Sequence, residues 1–173
     1  MYNYNSLIDA LDESKYSYKL YKHRALFTVD DSKNERGQID GLHSKNLFLK
    51  NKKNNFFLFS CVENSKVELK KLSKNLKIGN ISFANESYLL KYLGVTPGSV
   101  TPFGLLNDRK KEVEFYLDES FLLNKHINFH PLINTATINI KTKDFINFLI
   151  ENSIKVNILN LETYLVRGNY KNE

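Results

Sequence analysis

Two β-rich runs joined by a polar turn limit the possible folds of this chain more than any other feature of its sequence. Residues 45–50 (KNLFLK) and 56–62 (FFLFSCV) are rich in aromatic and aliphatic side chains, whereas residues 51–55 (NKKNN) are polar. Aromatic and branched side chains favour extended backbone, and a polar segment of this length commonly closes a hairpin. The two runs therefore predict an antiparallel β-hairpin over residues 45–62.

Helical and strand patterns alternate along the rest of the chain. The predicted helices cover residues 6–11, 28–37, 66–76, 85–93, 118–124 and 142–150, with Asn85, Asp118 and Thr142 as N-caps, and the predicted strands cover residues 16–21, 103–106, 113–117, 127–130, 136–140 and 156–159. Interleaved helices and strands with several hairpins are typical of a sheet covered by helices. We predict a single α/β (α+β) domain over residues 1–173 with a mixed, largely antiparallel β-sheet, and a frayed tail from about residue 168.

Composition limits the compartment and the kind of core. The chain has 173 residues, of which 42% are hydrophobic, so it can bury a full core without disulfides or metal ions. Cys61 is the only cysteine and lies in a predicted strand without a basic neighbour in sequence, so we expect a buried thiol rather than a nucleophile. Neither a leader pattern nor an apolar stretch of bilayer length is present, so we expect a cytoplasmic protein with no membrane partner.

The chain carries a surplus of positive charge. Its net charge is +6 and its isoelectric point is about 9.2, which favours polyanionic partners, nucleic acid first. A lysine-rich composition set by a biased genome would give the same charge, so both explanations stay open. The predicted helix over residues 66–76 concentrates lysines that phosphates would contact, but helical spacing spreads them over more than one face, so a solvated face is an equal alternative. These lysines are Lys66, Lys70, Lys71, Lys74 and Lys77.

Several familiar catalytic chemistries have no support in the sequence. His126 and His130 are the only close histidine pair, but a strand-like INF separates them and Pro131 follows, which does not fit a zinc motif on a helix. No G-x-S-x-G elbow and no phosphate-binding G-x-x-x-x-G-K-[ST] motif is present. We therefore expect no metal, no cofactor, no nucleophilic triad and no NTPase activity.

Residues 94–102 (GVTPGSVTP) form the segment that best suits a binding site. Gly98 can adopt a positive φ and lets a ligand approach the main chain, while the prolines on either side stiffen the loop. The backbone N–H groups of residues 98–100 could then converge on an anion or a developing oxyanion. A Pro-Gly turn between a helix and a strand explains the same residues, so this alternative stays open.

Three segments together resemble a known family. They are GLHSKNLFLK (residues 41–50), SFANESYLLKYLGVTPGSVTPFGLLND (residues 82–108) and INFHPLINTAT (residues 127–137). In their order and spacing they resemble the prolyl-tRNA editing family, the YbaK/ProX-type aminoacyl-tRNA deacylases, and within it the freestanding branch that hydrolyses Ala-tRNA(Pro). The resemblance extends from about residue 28 to about residue 149.

This resemblance implies a fold like the editing domain of prolyl-tRNA synthetase and a cofactor-free hydrolase that deacylates mischarged Ala-tRNA(Pro) in trans. A positioned water would attack the activated ester with help from the neighbouring ribose hydroxyl, without a covalent enzyme intermediate. The implied partners are the acceptor end of tRNA(Pro) and, as a further candidate, prolyl-tRNA synthetase. The chain lacks an appended synthetase or anticodon-binding domain, so tRNA identity would be read from the acceptor stem, by a partner, or not at all.

Two side chains carry the implied chemistry. Lys45 matches the family's functional lysine in the KNLFL motif, where it would contact the carbonyl or phosphate of the substrate's 3′ end; its alternative is a solvated strand lysine. His130 matches the histidine of the H-P-L-x-N-T motif and would hydrogen-bond the amino group or the water; its alternative is a core histidine bonded to a main-chain carbonyl.

The resemblance also assigns the rest of the site. The catalytic residues would be Lys45, Gly98, Ser99 and His130, and the substrate-binding residues would be Thr28, Val29, Asn46, Leu47, Pro97, Val100, Thr101, Pro102 and Asn134. Phe48 and Phe103 are further candidates for pocket walls, Thr135 for support of His130, and Lys66, Lys70, Lys71 and Lys74 for tRNA contacts, whereas His43 and His126 are expected at the surface.

Two other functions remain open at this point. The first keeps the fold but changes the acyl group to cysteine, serine or a small non-protein amino acid. The second is a non-catalytic module that binds tRNA or a synthetase. A pocket that fits alanine would reject proline by steric overlap, which a synthetase cannot achieve in reverse, because a missing methylene is worth only about 1–3 kcal/mol.

Overall fold

The computed structural model describes residues 1–25 and 39–170. Four helices are described: α1 (Tyr4–Asp12), α2 (Leu69–Leu76), α3 (Glu86–Tyr88, continued by a π-helical turn, Leu89–Leu93) and α4 (Thr142–Glu151). Two 3₁₀ segments cover Pro102–Asn107 and Glu119–Leu123. The strands are β1 (Tyr18–Lys22), β2 (Leu42–Asn51), β3 (Phe56–Val62), β4 (Ile81–Phe83), β5 (Val113–Asp118), β6 (His126–Phe129), β7 (Ala136–Lys141), β8 (Asn157–Asn160) and β9 (Leu165–Asn169).

The described strands form one nine-stranded mixed sheet. Its order is β1-β7-β6-β2-β3-β5-β8-β9, and β4 pairs with β2 beside this path. The pairs β2/β6, β3/β5 and β5/β8 are parallel, whereas the other five pairs are antiparallel. The predicted fold class, a mixed and largely antiparallel sheet covered by helices, is confirmed.

The two faces of the sheet carry cores of different size. The larger core packs α1, α3 and α4 against one face and is rich in aromatic rings, with Phe103 meeting Phe145 edge to face at 5.5 Å between ring centroids. The smaller core lies on the other face, where α2 places Leu72 over Phe57 and Phe59. Both faces of the central strand β3 are therefore buried, which explains its continuous apolar sequence.

Most of the predicted elements are present. The β2/β3 hairpin is confirmed, with Leu47 opposite Phe59, and α3 begins after Asn85, whose side chain accepts the N–H of Tyr88. Gly94 ends the π-helical turn in the left-handed conformation (φ 67°). The predicted helix over residues 28–37 lies outside the described residues. Among those described, no helix is long and apolar enough to cross a bilayer.

Two local predictions are wrong. Residues 103–106 are not a strand but belong to the 3₁₀ segment Pro102–Asn107, because the Thr101 hydroxyl accepts the N–H of Phe103 and Pro102 supplies a helical φ at the first position. Thr142 is not an N-cap, because its hydroxyl donates to the carbonyl of Asn124 and it already lies inside α4. At the C-terminus we expect fraying from about residue 168, but Gly168 and Asn169 belong to β9 and pair with β8.

Candidate functional site

The sheet has a gap between β6 and β4 on one edge of β2. The parallel pairing of β2 with β6 covers only Leu42/Ile127 and His43/Asn128, and β4 joins the same edge of β2 from Leu49 onward. Between these two points no described strand pairs with this edge of β2. Parallel strands that separate in this way leave a crevice at their carboxyl ends, which is a common position for ligands.

Lys45 and His130 lie on the same face of the sheet beside this gap. Each residue lies two positions beyond the last β2/β6 pair, His43 and Asn128, and side chains two apart in a strand point to the same face. This face is opposite to the larger core, since the neighbouring residues Leu42 and Ile127 belong to that core. The strand register therefore puts the two side chains that were predicted to carry the chemistry on one face of the sheet, on the two strands that separate at the gap.

Lys45 differs from the solvated lysines of the β2/β3 turn. Its side chain is half-buried, and its ammonium donates to the main-chain carbonyl of Ser65, in the segment between β3 and α2. Lys52 and Lys53, in the turn, are exposed. An ammonium has three N–H donors, so the contact with Ser65 orients Lys45 and leaves donor capacity for a carbonyl or phosphate oxygen.

Cys61 lies opposite Lys45 in β3 and is not a nucleophile. The residue is 1% exposed, and burial raises the pKa of its thiol to about 12, with a smaller contribution from Asp118 and a partial offset by Lys45. A thiol with such a pKa is protonated at neutral pH and reacts slowly. The prediction of a buried thiol is confirmed.

His130 is half-buried at the end of β6, and its ring is fixed by a main-chain contact. Its Nδ1 lies 2.8 Å from the carbonyl oxygen of Ala136. A carbonyl oxygen only accepts hydrogen bonds, so Nδ1 carries the proton and Nε2 has the lone pair in the neutral ring. The alternative for His130, a hydrogen bond to a main-chain carbonyl, is thus present. The same hydrogen bond fixes the tautomer with the proton on Nδ1, which a base or acceptor at Nε2 needs.

His23 is a neighbour of His130 that the sequence analysis did not single out. Its ring centroid lies 6.0 Å from that of His130, its Nε2 lies 2.9 Å from the hydroxyl of Thr137, and its Nδ1 lies 2.8 Å from the carbonyl of Arg24. Its main-chain N–H also donates to the carbonyl of Thr135. Only the β1/β7 register places His23 here, so no local pattern in the sequence indicates it.

Asn46 holds the loop over residues 94–102 against β2. Its Nδ2 donates to the carbonyl of Val100 at 2.9 Å, and its Oδ1 accepts the hydroxyl of Ser60 at 2.6 Å. Asn46 follows Lys45 directly, so it lies on the opposite face of the strand. Its amide therefore links the loop to the sheet on the side of the larger core.

The loop itself contains a Pro-Gly turn. The N–H of Ser99 donates to the carbonyl of Thr96 at 3.1 Å, and Gly98 between them has φ +87°, as the third residue of a type II turn requires. Thr96, Pro97 and Gly98 are exposed, whereas Ser99 is buried. The Pro-Gly turn that was left open as an alternative is therefore present. The N–H of Ser99 donates to a carbonyl within this turn and is not directed toward a ligand.

The other predicted residues are distributed more widely. Thr101, Pro102 and Phe103 are buried at the start of the 3₁₀ segment, and Phe48 belongs to the larger core, so Phe48 and Phe103 are core residues rather than pocket walls. Leu47 is half-buried on the face of Lys45, Asn134 is half-buried in the turn after β6, and Thr135 is exposed. His43 and His126, expected at the surface, are half-buried, and His126 faces Asp40 at 3.5 Å. Thr28 and Val29 lie outside the described residues.

The basic segment is shorter as a helix than predicted. Because α2 begins at Leu69, Lys66 precedes it, in the segment that contacts Lys45 through Ser65. Lys70, Lys71 and Lys74 are exposed, and Lys71 pairs with Glu68 at 2.6 Å. Within residues 1–25 and 39–170, no group of three or more His, Cys, Asp or Glu side chains is arranged to hold a metal ion.

Comparison with known proteins assigns the family. The model of the aminoacyl-tRNA editing domain matches residues 23–148, which include Lys45, the loop over residues 94–102 and His130. The chain belongs to the aminoacyl-tRNA editing domain family. This match covers most of the chain and agrees with the resemblance drawn from the three sequence segments.

Relatives support this assignment, and a solved structure has the same fold. The prolyl-tRNA editing protein ProX of Acetoanaerobium sticklandii is 34% identical over 155 residues, covering 88% of this chain and 90% of the relative. The prolyl-tRNA synthetase associated domain-containing protein 1 of Mus musculus is 36% identical over 136 residues, covering 76% and 80%. A crystal structure described as "a putative trans-editing enzyme for prolyl tRNA synthetase" has a TM-score of 0.67 at 20% identity, covering 92% and 98%, which shows that the two proteins share a fold.

Proposed function

We propose that this protein is a trans-editing hydrolase that deacylates mischarged Ala-tRNA(Pro). The observation that carries the proposal is the placement of Lys45 and His130 on one face of the gap beside β2 in a chain of the aminoacyl-tRNA editing domain family. Such an enzyme acts in the cytoplasm on the acceptor end of tRNA(Pro), alone or beside prolyl-tRNA synthetase. The name of the ProX relative supports the prolyl-tRNA substrate.

The reaction needs little beyond positioning. Water adds to the ester carbonyl carbon, and the bond from this carbon to the ribose oxygen then breaks. The products are free alanine and the tRNA 3′ hydroxyl, and the proton released by water reaches the ribose oxygen through the neighbouring hydroxyl. The ester is already activated, so orientation and stabilisation of the oxyanion account for the catalysis.

Lys45 and His130 have different roles in this proposal. The Lys45 ammonium, oriented by Ser65, donates to the carbonyl oxygen as negative charge develops or to the terminal phosphate. The neutral ring of His130, whose Nδ1–H is directed to Ala136, accepts a hydrogen bond from the attacking water or the substrate amino group through Nε2.

The loop and its neighbours form the remaining part of the proposed site. Asn46 fixes the loop to β2 through Val100, and the exposed Pro97–Gly98 corner is the part of the loop that this proposal leaves for contact with the 3′ end. Asn134 and Leu47 line the substrate on the two sides of the gap, and Lys66, Lys70 and Lys74 contact phosphates of the tRNA. A pocket closed to the size of alanine excludes proline by overlap.

A deacylation assay tests this function. Purified protein is incubated with Ala-tRNA(Pro), Cys-tRNA(Pro), Pro-tRNA(Pro) and Ala-tRNA(Ala), and each reaction is compared with hydrolysis in buffer alone. Rapid loss of alanine from tRNA(Pro) alone is the expected result. Loss of cysteine instead would support the same reaction on a different substrate. If the protein accelerated hydrolysis of none of the four, we would reject the enzyme in favour of a non-catalytic module that binds tRNA or a synthetase.

A further inference from the structure

A cleft lined by lysines lies at the β2/β3 turn, outside the candidate catalytic site. Its volume is about 450 Å³, and three lysines line it from two different parts of the chain. Lys52 and Lys53 come from the hairpin turn, and Lys77 comes from the end of α2. The sequence analysis assigned no role to the two turn lysines.

Asn51 fixes the two parts of this cleft to each other. Its side chain is buried; its Oδ1 accepts the N–H groups of Lys53 and Asn55, and its Nδ2 donates to the carbonyl of Ile78 at 2.9 Å. Lys77 ends α2 in the left-handed conformation, with φ 56°. The backbone that presents the three lysines is therefore held in place before any ligand binds.

The charge of the cleft is uncompensated within the described part of the chain. All three lysines are exposed, and none forms an ion pair with another described residue. Among the described residues, Glu114 is the one carboxylate that lines the cleft, and it accepts a hydrogen bond from the hydroxyl of Tyr116. Three ammonium groups on a fixed backbone suit several neighbouring phosphates of a nucleic acid better than a single small anion.

The distance from the candidate catalytic site fits one class of nucleic acid. Lys52 follows the last residue of β2 and lies seven positions after Lys45, which corresponds to about 23 Å at the rise of a strand. At about 3.4 Å per stacked nucleotide, this distance spans about seven nucleotides, enough for the unpaired 3′ end of a tRNA and the first base pairs of its stem. We infer that Lys52, Lys53 and Lys77 bind the phosphate backbone of the tRNA acceptor stem while its 3′ end occupies the site at Lys45; the choice of tRNA rests on the proposed function.

The test is a binding measurement that does not depend on catalysis. A fluorescently labelled RNA hairpin that copies an acceptor stem with its unpaired 3′ tail, and that carries no amino acid, is titrated with protein at several salt concentrations. The triple variant Lys52→Ala, Lys53→Ala, Lys77→Ala is expected to bind at least about tenfold more weakly at low salt. The slope of log K against log salt should fall in magnitude by about 2–3, because each lost phosphate contact removes nearly one unit.

A matched triple variant separates this cleft from the effect of net charge. Lys125, Lys143 and Lys155 are also exposed, and their replacement by Ala removes the same three charges elsewhere. Near-normal binding in this control, with unchanged thermal unfolding in both variants, supports the inference. Equal loss in both triples, normal binding in the cleft variant, or no binding by the unmodified protein would overturn it, whereas binding without any deacylation would overturn only the proposed function.

Discussion

Lys45 and Lys50 are two half-buried lysines of the same strand with different surroundings. The ammonium of Lys45 donates to the carbonyl of Ser65 beside the gap in the sheet. That of Lys50 donates to Asn54 and lies 5.6 Å from the ring centroid of Tyr88. The two residues are five positions apart and point to opposite faces, so Lys50 provides a control of equal charge and similar burial.

Replacing Lys45 by Ala should remove activity while the fold persists. We expect kcat/KM for Ala-tRNA(Pro) to fall at least about 100-fold, as for loss of a donor to a developing oxyanion. The free energy of unfolding should fall by about 1 kcal/mol, because the carbonyl of Ser65 loses one hydrogen bond. Steady-state kinetics and urea unfolding measure the two effects, and Lys50→Ala should keep its activity. Normal kinetics in Lys45→Ala would remove this residue from the site.

At the scale of elements, the site depends on contacts between segments far apart in the sequence. Asn46 joins β2 to the loop through Val100, 54 residues away. Gly41 brings the start of β2 against β6, since its backbone has φ +84° and an added Cβ would lie 2.4 Å from the carbonyl oxygen of His126. The first contact holds the loop to β2, and the second requires β2 to lie close to β6 at the start of the gap.

Asn46→Asp should uncouple the loop from the strand. The carboxylate can still accept the hydroxyl of Ser60, but it cannot donate to the carbonyl of Val100. We expect kcat/KM to fall about 10- to 100-fold through displacement of the loop. Ser60→Ala, which removes the other hydrogen bond of the same amide, should destabilise the protein by about 1 kcal/mol and leave most of the activity. Equal activity losses in the two variants would contradict the role of Asn46 as the tie to the loop.

Gly41→Ala should destabilise the protein more than Gly79→Ala. Both glycines have positive φ, +84° and +75°, so both substitutions carry a conformational cost of about 1–2 kcal/mol. An added Cβ at residue 79 meets no atom within 4 Å, whereas at residue 41 it meets the main chain of His126. Urea unfolding of both variants isolates the steric part of the cost. Similar values for the two would show that β2 and β6 can separate without penalty.

At the scale of the whole molecule, the sequence predicts structure that depends on neighbouring residues better than structure that depends on residues far apart in the chain. The hairpin and the helix after Asn85 depend on neighbours in sequence, and both are present. The Thr101-Pro102 pair is also a local signal, of a helix start, and the strand prediction overlooked it. The parallel β2/β6 register joins residues about 85 positions apart. The family motif in the sequence therefore identified Lys45 and His130 as separate candidates, but it could not show that they lie on one face of the sheet.

The packing of the whole sheet around Cys61 predicts a loss of stability at alkaline pH. Burial raises the pKa of this thiol from 9.0 to about 12. Between these values the unfolded chain has released the thiol proton and the native protein has kept it, so the unfolded state binds fewer protons and stability falls as pH rises. The contribution of Cys61 is thus fully present below about pH 9 and is lost toward pH 12, by about 1.4 kcal/mol per pH unit for one such group.

Cys61→Ala isolates this contribution from other groups that ionise at high pH. Burial also raises the pKa of Tyr16, Tyr18 and Tyr116, so both proteins should lose stability above about pH 10. Urea unfolding at pH 7, 9 and 10.5 should show a steeper decline for the unmodified protein than for Cys61→Ala. Parallel declines would mean that the thiol ionises in the native state as easily as in the unfolded chain, and that β3 is open to solvent beside Lys45.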